Sequence, residues 1–273
     1  MTQHYFENDL VSLHYYKYGS GPKAMLGFHG YGMHGKQFKV LEPALGDKYT
    51  FYVFDLFFHK ETKLRDQSLA NIKKGISKKQ FAELMLVFCR FENIDRFSVI
   101  GYSMGTHFAT VVVEEIGNLI EEYIVAAPSC LYPGKLIPFF SKNIIGNKIL
   151  EKLILNEYAL VGLLKTIKSL RIIDQEAYNI LFNEIGTPEL RFNCYACFTY
   201  LRFFETDKGR LKAVINEGNI KSIFIFGKRD KSFPPHIGKN FIAELKNAEV
   251  VVLDEGHEMI KRDFVNALTR LLK

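Results

Sequence analysis

An alternation constrains the fold of this chain most. Short runs that are almost wholly apolar occur at 23–28 (KAMLGF), 50–56 (TFYVFDL), 96–101 (RFSVIG), 121–127 (EEYIVAA), 220–227 (IKSIFIFG) and 248–253 (AEVVVL). Segments with helical spacing separate or follow them, at 36–46, 77–93, 104–117, 235–247 and 258–272. A strand that is apolar on both sides has no face to give to water. Such strands belong in a mostly parallel sheet with helices covering both faces, an α/β architecture. Ahead of the alternation, 5–18 reads as a pair of strands, closed by the turn signal Gly19-Ser20-Gly21-Pro22. Ser77, with Gln80 three residues on, is placed to cap the helix over 77–93.

The alternation stops between about 129 and 218, where no strand pattern occurs. Helices are expected there, at 143–171 with a break near Gly162 and at 174–185. The expected organisation is therefore a core built from 1–128 and 219–273, with a helical cap over 129–218 inserted after the sixth core strand. A chain of 273 residues that is 48% apolar has the material for a core of this size.

One junction carries chemistry. Residues 98–108 read SVIGYSMGTHF, placing Ser103 between Gly101 and Gly105 where a strand gives way to a helix. A serine hydroxyl is a poor nucleophile at neutral pH and needs a base beside it and donors for the oxyanion it creates. A sharp strand-to-helix turn lifts the hydroxyl clear of the sheet, and glycines two residues away on either side relieve the crowding. The Met104 N–H then sits at a helix N-terminus, where the dipole favours negative charge. His29-Gly30-Tyr31-Gly32 follows the strand KAMLGF, and a glycine-flanked loop there brings the Tyr31 N–H towards the same point. His29 reads as a hydrogen-bonding anchor of that loop. Near the C-terminus, Asp230 lies just past one strand and His257 just past the next, and catalytic groups collect at the carboxyl ends of parallel strands.

The HGxG loop, the G-x-S-x-G junction, the late aspartate, the final histidine and the helical insertion together resemble the α/β-hydrolase fold, over nearly the whole chain. That resemblance implies Ser103 as nucleophile, His257 as general base and Asp230 as the group that orients its imidazole. It also implies Tyr31 and Met104 as backbone oxyanion donors, with Gly30, Gly32, Gly101 and Gly105 shaping the loops. Asp254, three residues before His257, is a rival for Asp230. His107, on the elbow helix, reads as a packed residue, and His236 as part of a first helical turn. One departure concerns FFHKET around His59: many relatives have a Gly-rich turn there, but here no glycine occurs between Gly46 and Gly75.

Composition narrows the function classes. The net charge is +6, from 36 Lys and Arg against 30 Asp and Glu, with no basic block of the kind that tracks a phosphate backbone. Nucleic acid is therefore not an expected partner. By count, 131–212 holds 12 basic and 8 acidic residues, most of the excess. Basic charge beside apolar helices suits an anionic substrate or a membrane surface, and lysines on a solvated helix face explain it equally well. The N-terminus lacks a basic and an apolar region, and the four cysteines are scattered, so a reduced, cytoplasmic protein is expected. Cys194 and Cys197 form a C-x-x-C without a second pair, which reads as buried thiols rather than a metal or redox site. Neither cofactor nor metal is expected. The expected activity is that of a serine hydrolase of the carboxylesterase or lipase kind, acting on a small-molecule apolar acyl ester. Carbon–carbon bond hydrolysis on the same fold, or a non-catalytic binding protein, are the alternatives.

Overall fold

A computed structural model of the chain describes residues 1–132, 134, 136–170, 178, 182 and 185–272. Among these, nine strands form one sheet: β1 (Thr2–Glu7), β2 (Val11–Tyr18), β3 (Lys23–Phe28), β4 (Tyr49–Phe54), β5 (Lys63–Leu64), β6 (Phe97–Tyr102), β7 (Ile120–Ala126), β8 (Lys221–Gly227) and β9 (Ala248–Leu253). The helices are α1 (Glu42–Leu45), α2 (Leu69–Lys74), α3 (Lys78–Phe91), α4 (Gly105–Ile116), α5 (Leu136–Lys142), α6 (Ile144–Leu155), α7 (Glu157–Ser169), α8 (Pro188–Tyr200), α9 (Lys208–Glu217), α10 (Lys239–Ala243) and α11 (Arg262–Leu271). The strand order is β1-β2-β4-β3-β6-β7-β8-β9, with β5 beside β2. From β4 to β9 neighbouring strands run parallel, and β2 pairs antiparallel with both β1 and β4.

The chain divides into two compact units. The first, Met1–Arg65, Ser77–Pro133 and Phe204–Lys273, holds the whole sheet. Its inner strands β3, β4, β6, β7 and β8 are buried on both sides, which is why they read as continuous apolar runs, while the edge strand β9 leaves Val250 and Val252 about half exposed. On one side Phe51 and Val53 of β4, Ile100 of β6, Ile124 of β7 and Ile225 of β8 pack with Phe38, Leu45, Phe264 and Leu268. On the other, Phe28 and Phe54 meet Phe81 and Phe88 of α3 and Phe108 of α4. Burying each such side chain is worth about 1.5–3 kcal/mol. α3 starts where the sequence places it. The Ser77 Oγ accepts the Gln80 N–H, and the Gln80 Oε1 accepts the Ser77 N–H, a reciprocal cap that satisfies two otherwise orphaned donors.

The second unit is Asp66–Ile76 with Gly134–Phe203, so its bounds differ from the 129–218 read from the sequence. Residues 204–218 belong to the first unit because Phe204 packs against Phe81 and Phe108, and Asp207 donates its N–H to Glu114 on α4. Conversely, α2 joins the second unit. Ile76 donates its N–H to the Tyr200 carbonyl, and the Arg202 guanidinium caps the carbonyls of Lys73 and Lys74. The expected break near Gly162 falls instead at Asn156, which ends α6 and caps α7 by accepting the Ala159 N–H. Gly162 sits within α7, at a cost a helix tolerates. The helix expected over 174–185 lies outside the described residues except for Tyr178, Phe182 and Ile185. Cys194 and Cys197 lie on α8, and none of the four cysteines is in a disulfide. Burial pushes the Cys197 thiol up, away from the reactive thiolate.

Candidate active site

The first unit gathers its chemistry-bearing side chains at the carboxyl ends of parallel strands. Ser103 follows β6 directly, Asp230 lies three residues past β8, and His257 four residues past β9. The Ser103 Oγ is 3.1 Å from the His257 Nε2, and the His257 Nδ1 is 2.8 Å from the Asp230 Oδ2. Asp230 is buried, and its second oxygen accepts the N–H groups of Ser232 (2.8 Å) and Phe233 (3.0 Å). The carboxylate is thus fixed from one side by backbone and offers the other oxygen to the imidazole, which must carry its proton on Nδ1. That leaves Nε2 a lone pair directed at the serine hydroxyl. The rival Asp254 is turned to solvent and paired with Arg229 at 2.8 Å.

The turn at Ser103 is strained and held. Ser103 has φ +50°, a left-handed conformation that costs a non-glycine residue about 1–3 kcal/mol. Its N–H donates to the Ala126 carbonyl on β7, 2.9 Å away. Its own carbonyl accepts the Thr106 N–H at 2.9 Å and two hydroxyls, from Thr106 (2.6 Å) and Ser129 (2.7 Å). Space is as tight as the geometry. A Cβ on Gly105 would stand 1.9 Å from the Phe28 carbonyl oxygen, and one on Gly101 2.7 Å from the Gly105 carbonyl oxygen. Only glycine lets α4 start this close to β3. Met104 leads into α4, placing the helix N-terminus beside the serine.

Neither a family model nor any curated protein matches this sequence. Solved structures do match its shape. A hydrolase from Pseudomonas aeruginosa superposes with a TM-score of 0.70 at 17% identity, covering 99% of this chain and 98% of that one. An α/β-hydrolase enzyme from a Medee basin deep-sea metagenome library gives 0.69 at 15% identity over 98% and 95% of the two chains. The chain has the α/β-hydrolase fold. A thermophilic esterase from Thermogutta terrifontis is a further structure of similar shape, with a TM-score of 0.63 at 15% identity over 96% and 93% of the chains.

Within this hydrolase fold, three side chains tie the loop after β3 to the loop after β4. The His29 Nε2 accepts the Leu56 N–H (3.0 Å) while its Nδ1–H donates to the Gly30 carbonyl (2.7 Å). The His59 Nε2 accepts the Gly32 N–H (3.1 Å) while its Nδ1–H donates to the Phe57 carbonyl (2.9 Å). The Asp55 Oδ1 accepts the Gly35 N–H (2.8 Å), and its Oδ2 meets the His14 Nδ1 at 2.7 Å in full burial. Tyr31 lies between these ties, its ring edge-on to His59 with centroids 5.3 Å apart. Gly32 has φ +73°, and a Cβ on Gly30 would come within 2.8 Å of the Tyr102 ring. The glycine-free stretch after β4 is therefore braced by His59 rather than shaped by a glycine turn. Sequence reasoning also missed Tyr102, whose hydroxyl donates to the His257 carbonyl at 2.7 Å and so anchors the His257 backbone from the residue before the serine. The G-x-S-x-G motif leaves that position unspecified, so no sequence signal marked it. His107 donates to the Phe204 carbonyl at 3.2 Å, as a packed helix residue does, and His236 is exposed in a 3₁₀ turn.

These ties require neutral imidazoles, and burial enforces that state. It holds His29 well below the ordinary histidine value, with His59 nearby acting in the same direction. Burial also lowers His59 and pushes His107 down to about 4. A histidine whose folded pKa is depressed takes up its proton more readily in the unfolded chain. The stability it contributes is fully present above about pH 6.5, the unfolded value, and is lost as pH falls from there towards the folded one. Each such histidine adds a slope of up to about 1.4 kcal/mol per pH unit inside its window. Glu114, whose carboxyl burial raises, opposes this in the lower part of the range. The urea midpoint is expected to fall steadily between pH 6.5 and about 4.5. A flat profile would show that these imidazoles are protonated in the fold or reached by water.

Proposed function

We propose that this protein is a serine hydrolase that cleaves a carboxylic ester of a small or medium apolar substrate through an acyl-enzyme. One observation carries the reading: the Ser103 Oγ, His257 Nε2 and Asp230 Oδ2 form a continuous hydrogen-bonded line on a left-handed turn at a helix N-terminus. In the forward step the Ser103 oxygen attacks the ester carbonyl as His257 takes its proton at Nε2. Asp230 stabilises the imidazolium through Nδ1–H. The N–H groups of Tyr31 and Met104 receive the oxyanion, helped by the positive end of the α4 dipole. The tetrahedral adduct collapses, His257 passes its proton to the leaving alcohol oxygen, and the acyl group stays on Ser103. A water deprotonated by His257 then attacks the acyl carbonyl, releasing the acid and restoring the serine. No step calls for a cofactor or metal. The apolar substrate class rests on the aromatic and aliphatic residues read between 129 and 218, among them Phe139, Leu160, Leu164, Phe198 and Phe203.

The test pairs a fluorophosphonate probe with p-nitrophenyl esters of increasing acyl length. Labelling of the wild type that vanishes in Ser103→Ala, with turnover of short and medium esters, is the expected outcome. Labelling without ester turnover would move the assignment to carbon–carbon bond hydrolysis. A wild type that takes no label would make the chain a binding protein on a hydrolase scaffold.

A further inference from the structure

α6 buries Ile154 yet also turns apolar residues to water. Its inner face is fixed by polar contacts. The Asn147 Nδ2 donates to the Thr199 hydroxyl at 2.9 Å, and its Oδ1 accepts from the Tyr195 hydroxyl at 2.9 Å. Glu151 pairs with Lys73 at 2.8 Å. Gly146 sits against the Phe139 carbonyl, where a Cβ would stand 2.4 Å from the oxygen. These contacts set the rotation of the helix, and they leave Ile144, Ile145 and Ile149 outward at 76%, 68% and 47% exposure. α6 thus presents three isoleucines to solvent while it turns a half-buried asparagine inward. The hydrophobic effect opposes that arrangement unless something covers the isoleucines.

Charge indicates what covers them. Lys148 and Lys152 are exposed on the same face, at helical spacing with the isoleucines. Between 136 and 170 the chain carries five lysines and two glutamates. Both glutamates are committed, Glu151 to Lys73 and Glu157 to Arg191. Three residues past the end of α6, Tyr158 is 90% exposed, an amphipathic ring of the kind that settles at a headgroup boundary. Among the described residues Lys148 and Lys152 have no acidic partner, and an exposed apolar face interleaved with such lysines matches an interface that is apolar beneath and anionic on top.

We infer that the outer face of α6 docks the protein on an anionic lipid surface, with Ile144, Ile145 and Ile149 inserted at the acyl boundary and Lys148 and Lys152 against the headgroups. This is peripheral binding, since among the described residues no helix is long and apolar enough to cross a membrane. The inference is independent of the role proposed for Ser103.

The test uses the full chain carrying Ser103→Ala, so that no lipid ester can be consumed during binding. It is sedimented with vesicles of phosphatidylcholine alone and of phosphatidylcholine mixed with phosphatidylglycerol. Binding is expected to the mixed vesicles, to weaken with added salt, and to be much poorer on phosphatidylcholine. Ile144→Ser with Ile149→Ser should lower the partition coefficient by about tenfold or more. Lys148→Glu with Lys152→Glu should lower it by at least about fivefold per lysine on the mixed vesicles only. All four side chains are exposed, so circular dichroism should match the parent. No binding to the mixed vesicles, or equal binding by the variants, overturns the inference. So does a dimer in sedimentation velocity that Ile144→Ser with Ile149→Ser dissolves, because a second copy would then be what covers the stripe.

Discussion

Replacing Ser103 by alanine is expected to lower kcat for an ester substrate by about 10⁴–10⁶-fold, leaving KM within a few-fold of the parent. The Ser103 side chain does little else. It makes one hydrogen bond, to the His257 Nε2, and the structural duties of the residue fall to its backbone, which bonds Ala126, Thr106 and Ser129. Alanine at φ +50° bears the same backbone strain as serine, so the turn and its contacts persist. The thermal midpoint should therefore stay within about 2 °C of the parent. What remains of the rate is the share supplied by oxyanion donors and binding alone, about 10³-fold over water in comparable sites. A variant that kept a tenth or more of the activity would mean that another nucleophile does the work.

Much of this site was readable from the sequence because its parts obey local rules. Buried parallel strands read as apolar runs, and the elbow needs glycine on both sides of Ser103 for reasons of space alone. Asp230 and His257 lie three and four residues past strand ends, at the edge where parallel sheets in general collect ligands and catalytic groups. What stayed hidden depends on partners distant in the chain. Asp230 and Asp254 both follow strands, and only tertiary contacts separate them: Asp230 is buried against the His257 Nδ1, whereas Asp254 pairs with Arg229 in solvent. Residues 204–218 read as a continuation of the helical insertion, because nothing local reveals that Phe204 settles against Phe81 and Phe108. The stretch 66–76 is assigned no element from the sequence, and its helix is held by partners far along the chain, Ile76 donating its N–H to the Tyr200 carbonyl and Arg202 donating to the Lys73 carbonyl. Asn156 ends α6 because its side chain caps the next helix, an interaction stronger than the mere tolerance of Gly162. The bracing of the loop after β3 by His29, His59 and Asp55 is likewise a matter of three-dimensional adjacency, visible in the sequence only as a missing glycine.

Asp230→Asn should cost about 10⁴-fold in kcat although it changes one atom and leaves the fold in place. The hydrogen bonds dictate how. The N–H groups of Ser232 and Phe233 both point at Oδ1, so an asparagine must put its carbonyl oxygen there. Its NH₂ then occupies the position of Oδ2, facing the His257 Nδ1. Two donors cannot face each other, so Nδ1 becomes the acceptor and the ring proton moves to Nε2. The base would now present a hydrogen to the Ser103 hydroxyl instead of a lone pair, and the serine could no longer be deprotonated. The Tyr102 hydroxyl still holds the His257 backbone, so the ring stays in position with the wrong tautomer. Asp254→Asn serves as the comparison. It loses only an exposed pair with Arg229, worth at most about 1 kcal/mol, and should leave kcat unchanged. If the two variants lost activity equally, the imidazole would have to be oriented by Asp254, and the hydrogen-bonded line from Asp230 to Ser103 would not be the catalytic one.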